Sequence, residues 1–132
     1  MTFVPPAAAR VVKIILAGIL LSDDPRTLEM LARGVGMSRG ALREQCHAVG
    51  EQPHNVLAFT RALRACMLAD QHELRDICEA MDLVDSRSRR KFIDQAGTAK
   101  GTGEFLRHQR FVSNQHLLLA VRRAVEKPEA TE

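Results

Sequence analysis

The chain contains no tryptophan and no tyrosine, and five phenylalanines bring its aromatic share to only 4%. Sheet platforms that bind nucleic acid stack bases on exposed aromatic rings, so that class is disfavoured. Cysteine is equally scarce. Cys46, Cys66 and Cys78 are odd in number and contain no CxxC pair. Neither a disulfide framework nor a zinc knuckle is therefore expected. Cys66 and Cys78 fall among apolar helical positions, where a free thiol behaves as a small buried hydrophobe. A reducing cytosol fits this usage best.

Long apolar runs are missing too. The most apolar stretch, VVKIILAGILL at residues 11–21, is interrupted by Lys13 and falls well short of the roughly 20 residues of a membrane span. Pro5-Pro6 precede it and Ser22-Asp23-Asp24 follow, without the charge and cleavage site of a signal peptide. The stretch predicts a buried first helix in a cytoplasmic chain without membrane contact. Catalytic signatures are absent as well: no P-loop, no GxSxG, no HExxH and no glycine-rich nucleotide fingerprint. His47, His54, His72, His108 and His116 form no spaced constellation with the acids. No enzyme activity, metal or cofactor is expected.

What is present is ordinary for one globular unit: 132 residues, 45% hydrophobic and 27% charged, with net charge +3. A chain of this size buries a core without staples. The mild positive charge permits phosphate contact without requiring it, and its placement is more telling. Between Arg87 and Arg110, seven basic residues (Arg87, Arg89, Arg90, Lys91, Lys100, Arg107, Arg110) face only Asp94 and Glu104. Residues 126–132 read as an acidic and polar tail.

Periodicity and punctuation predict an all-α chain of seven main helices without a strand. The first runs from Ala7 to Leu21, opened by the proline pair and closed by the SDDP turn. Thr27 is placed to cap a helix from Leu28 to Gly34, with Leu28, Leu31 and Ala32 on one face. Val35-Gly36-Met37 then makes a tight turn in which Gly36 can take a positive φ. Ser38 caps the helix SRGALREQCH, whose apolar face is Ala41, Leu42 and Cys46. Helix, tight glycine turn and capped helix make a helix-turn-helix pattern.

Gly50 stops that helix, and Pro53 opens a longer one to about Ala69, apolar at Val56, Leu57, Ala62, Leu63, Cys66 and Met67. The pattern then repeats weakly. Glu73 to Ala80 is helical, Asp82-Leu83-Val84 replaces the turn, and Asp85 or Ser86 caps a polar helix through Gln95. Gly97 stops it, and Gly101 and Gly103 punctuate a loop. A final helix begins at Ser113 or Asn114 and runs to about Glu126, with Leu117, Leu118, Val121 and Val125 as its stripe. Core packing or a homodimer contact would each use such a stripe.

This arrangement resembles the DNA-binding domain of AraC/XylS-type transcription regulators. The match runs best from Thr27 to Leu68, where Leu28, Leu31, Ala32, Gly36, Met37, Ser38, Leu42, Gly50, Pro53, Val56, Arg61 and Ala65 stand at corresponding residue types. Ile77, Leu83, Asp85, Phe92 and Gly97 anchor a resemblance to the second lobe. Asp82 takes the place of the second turn glycine, Glu44 that of an arginine facing DNA, and Cys46 that of a bulky aromatic. The resemblance implies two helix-turn-helix lobes joined by a long helix. The first lobe with its linker helix covers 7–69, the degenerate second lobe 70–110, and the C-terminal helix and tail 111–132.

A recognition helix needs small or polar residues where it meets base edges. Arg39, Gly40, Arg43, Glu44 and His47 meet that requirement on the face opposite Leu42, and Ser38 stands at the capped start of the helix. Arg can bond guanine in a bidentate way, and Glu can accept from a cytosine amino group. Ser86, Arg87, Arg89, Arg90 and Lys91 would supply phosphate contacts from the second lobe. The expected function is therefore a DNA-binding transcription regulator without a sensory domain, its first lobe reading bases and its second holding phosphates. The expected partners are double-stranded DNA and RNA polymerase or another protein, with the chain a monomer or a homodimer through its C-terminal helix. Two alternatives stay open: a helical protein–protein adaptor that kept the fold, and a nonspecific nucleoid-type DNA binder.

Overall fold

A computed structural model describes residues 4–69 and 102–126. The fold is all-helical, with six helices and no strand among the described residues. They are α1 (Pro6–Ile19), α2 (Leu28–Gly34), α3 (Arg39–Ala48), α4 (Pro53–Ala69), α5 (Thr102–His108) and α6 (Gln115–Glu126). The two helices expected within 73–95 and the turn at 82–84 lie outside the described residues. None of the six helices is long and apolar enough to cross a membrane.

Helix α1 begins one residue earlier than its apolar pattern predicts, with Pro6 itself in the first turn. Proline is suited to that position because a helix leaves its first N–H groups unpaired anyway. Ala8, Val11, Val12, Ile14, Ile15 and Gly18 face inward at helical spacing, while Lys13 is exposed. The helix stops at Ile19 rather than Leu21. The carbonyls of Ile19 and Leu21 instead accept from Nε and Nη2 of Arg64 at 3.2 and 2.8 Å. An arginine 43 residues further along the chain thus satisfies carbonyls at the end of α1.

Helix α4 is central and packs against α1, α2, α3 and α5. Val56, Phe59, Thr60 and Leu63 are fully buried along it. Thr60 escapes an unsatisfied hydroxyl by donating to the Val56 carbonyl one turn back, at 2.8 Å. At Gly18 α1 lies tight against its neighbours: a Cβ there would lie 2.9 Å from both Leu31 Cδ1 and Thr60 Cγ2.

From Thr102 onward the chain departs from the expected loop. Gly103 lies inside α5, in its first turn. A glycine in a helix costs about 1 kcal/mol relative to alanine, but burying a phenylalanine stabilises by roughly 2–3 kcal/mol. Phe105 and Leu106 are both buried, and the Phe105 ring stacks on Phe59 with centroids 5.8 Å apart. Phe111 closes the group at 6.2 Å from Phe105. Tertiary burial therefore outweighs local propensity here.

Helix α6 starts after Asn114, whose Oδ1 accepts from the Leu117 N–H at 3.0 Å. Its most extensive contact is with α1. Leu117 and Val121 are fully buried within the same apolar core as α1 to α4. The centre of the C-terminal stripe thus packs within its own chain.

Candidate nucleic-acid interface

The unit from Thr27 to Glu51 is built by local backbone chemistry. Thr27 and Ser38 are extended residues whose side-chain oxygens accept from the N–H groups of Met30 and Ala41, each at 3.0 Å. These are N-caps in the usual register. Both helices end by one device as well. In α2, Gly36 (φ +83°) donates to Arg33 O at 3.2 Å and Met37 donates to Ala32 O at 2.9 Å. In α3, Gly50 (φ +76°) donates to His47 O at 2.9 Å and Glu51 donates to Cys46 O at 3.0 Å. This paired bonding is the Schellman motif, with glycine where left-handed backbone would strain any other residue.

Tertiary contacts orient this unit. Leu42 and Cys46 anchor α3 in the core, and Leu28, Leu31 and Ala32 anchor α2. Asp24, only 4% exposed, lies in the turn between α1 and α2. Its Oδ2 accepts from Arg61 Nε at 2.9 Å and pairs with the same guanidinium at 2.8 Å. Arg64 Nη1 stands 3.8 Å from its other oxygen. The turn preceding α2 is thus fastened to α4. Neither pairing was legible locally, because the partners are 37 or more residues apart.

Ser38, Arg39, Gly40, Arg43, Glu44 and His47 are all exposed, as a recognition surface requires. Their arrangement is more graded than a single face opposite Leu42. At 3.6 residues per turn, Arg39 and Arg43 lie about 60° and 100° from Leu42 on one flank, with His47 at about 140°. Gly40 and Glu44 are each about 160° away, at the outermost edge. Among the described residues, no carboxylate comes within ion-pair distance of Arg39 or Arg43. Arg33 of α2 differs: it pairs with Glu29 at 3.0 Å, with side chains 75% and 64% exposed. Such an exposed pair contributes little to stability. Between the two helices lies a shallow depression lined by Glu29, Ala32, Arg33, Met37, Ser38 and Arg39.

One cation beside α3 carries no signal in its own sequence neighbourhood. Arg10, exposed on α1, donates from Nε to Gln45 Oε1 at 2.9 Å across 35 residues. Gln45 lies about 60° from Leu42 on the flank away from Arg43.

The C-terminal end of α3 is tied to α6 through Glu51. This buried carboxylate accepts from the Ser113 and Asn114 N–H groups at 2.8 and 2.7 Å. Asn114 Nδ2 returns a bond to Val49 O at 2.9 Å. A carboxylate just before a helix also meets the positive end of its dipole. Burial, and then the Glu51 charge, raise the Cys46 thiol from 9.0 to about 11. Cys46 is therefore a neutral core residue, and exposed His47 points elsewhere. Among the described residues, no three potential ligands are grouped to hold a metal ion.

Ser86, Arg87, Arg89, Arg90 and Lys91 lie outside the described residues, so the candidate site consists of α3 and its flanks. Comparison with protein-family models, with curated proteins and with solved structures returned no match.

Proposed function

We propose that this chain is a DNA-binding transcription regulator, similar to the AraC/XylS DNA-binding module, in which α3 enters the major groove. The observation that carries this reading is the exposed flank of α3, where Arg39 and Arg43 stand without a carboxylate partner among the described residues. Two arginines with open guanidinium forks on a helix with a rigid N-cap suit guanine recognition. Glu44, at the outermost position, would accept from a cytosine amino group. In this reading the first lobe selects sequence, and the Arg87 to Lys91 run adds phosphate contacts.

A salt titration of binding to random-sequence and selected duplexes tests the proposal. Arg43→Ala is expected to reduce the preference among sequences. Arg90→Ala is expected to weaken binding to every duplex and flatten the salt slope by about 0.9. Absence of binding to any duplex at low salt would overturn the reading. A helical adaptor is the second reading, favoured by Leu20, an 83% exposed leucine at the end of α1. It predicts no duplex binding and loss of a protein contact on Leu20→Ser.

A further inference from the structure

We propose that Arg10 is a further cation of the α3 interface, positioned by Gln45 to meet a backbone phosphate on one rim of the groove while Arg39 and Arg43 reach base edges from the opposite flank of α3. The inference rests on the reading of α3 as the helix that enters a duplex, and it names how that helix would be seated.

Arg10 belongs to α1, which packs against α3. Its Nε–H is given to Gln45 Oε1 at 2.9 Å. A guanidinium has five N–H donors in a planar fork, so this bond fixes the plane and leaves the Nη groups to act. Among the described residues, no carboxylate lies within ion-pair distance of Arg10. An exposed guanidinium bonded at Nε keeps its remaining N–H donors for a ligand, and such a fork suits the bidentate geometry of phosphate.

The placement matters as much as the charge. A helix with its side chains is about 10–12 Å across, and the major groove is about 12 Å wide. A cation held beside one flank of an inserted helix therefore meets the phosphate rim on that side. Arg39 and Arg43 occupy one flank of α3, and Gln45, with Arg10 bound to it, occupies the other. Glu44 lies between them, near the groove floor. Its repulsion from phosphate is then balanced from both sides, which explains how a glutamate is tolerated at the outermost position. In this arrangement Arg10 contacts phosphate directly, and Gln45 is a positioning residue.

The test measures binding of the full chain to a fluorescently labelled random-sequence duplex across a salt series. Wild type is compared with Arg10→Ala, Gln45→Ala and the double variant, with a selected duplex run in parallel. Arg10→Ala is expected to lower the slope of log K against log salt by about 0.9 and weaken binding roughly threefold or more, equally on every sequence. Gln45→Ala keeps the charge, so it is expected to weaken binding with little change in slope. The double variant should bind no more weakly than Arg10→Ala alone, because the second residue acts through the first. Both positions are outside the buried core, and unchanged melting temperatures establish that the fold is intact.

An unaltered slope in Arg10→Ala, with wild type binding normally, overturns the role of Arg10 and leaves the reading of α3 standing. Strict additivity of the two substitutions overturns the positioning role of Gln45. Failure of wild type to bind any duplex at low salt removes both the inference and the reading beneath it.

Discussion

The segment 27–51 and the segment 102–126 reach helical structure by different routes. In the first, the instructions are local. Thr27 and Ser38 accept from N–H groups three residues ahead, and Gly36 and Gly50 close the two helices with bonds spanning three to five residues. In the second, α5 holds a glycine in its first turn, and its two bulky apolar residues are buried against the rest of the fold. The start of α6 is fastened by Glu51, 62 residues earlier. The candidate interface thus has a backbone geometry of its own, whereas the C-terminal helices depend on the core they cover.

Four substitutions or conditions sharpen this contrast. The largest effect is expected at Phe105, whose ring stacks on Phe59. Phe105→Ala should cost about 3–5 kcal/mol in denaturant unfolding. A loss below 1 kcal/mol would show that the α5 contact contributes little to the fold.

Alkaline conditions come next. Because the Cys46 thiol is raised from 9.0 to about 11, its contribution is fully present below pH 9. It is lost as pH rises towards 11, since the unfolded chain ionises first. Thermal unfolding between pH 9 and 11 should show a loss on the order of 1–3 kcal/mol. Cys46→Ala should lack that component of the slope, and an unchanged slope in the variant would refute the assignment.

Smaller effects are expected within the locally encoded unit. At Gly36 an added Cβ meets nothing within 4 Å, so Gly36→Ala probes backbone strain at φ +83° alone. It should cost about 1–2 kcal/mol, while Gly36→Asn should recover part of the loss. Equal costs for the two variants would argue against left-handed strain. Ser38→Ala should be milder still, at about 1 kcal/mol. Its readout is amide exchange at Ala41, which is expected to quicken while exchange in α6 stays unchanged. Faster exchange in both helices would contradict the independence of the first unit.

The same contrast explains what could be read in advance. Thr27, Gly36, Ser38, Gly50 and Pro53 were legible because capping and turn geometry depend on residues a few positions away. The exposed set Arg39, Gly40, Arg43, Glu44 and His47 followed from the same register. Gly103 misled because glycine is a loop signal only where packing does not intervene. Gly18 and Phe59 carry no local signal, because a close helix approach and a ring stack belong to pairs of elements. Asp24 belongs to the SDDP turn, yet Arg61 and Arg64 hold it in the interior.

Helicity, the bounds of α2 and α3, and the exposure of the polar side chains along α3 could all be read from the sequence alone. Those features rest on hydrogen bonds and periodicities that span a single turn. Only the tertiary structure decided that α6 covers α1, that residues 102–108 are helical, and that Arg10 stands beside Gln45. Each of these depends on groups brought together from more than 30 residues apart, and no local pattern specifies such a meeting.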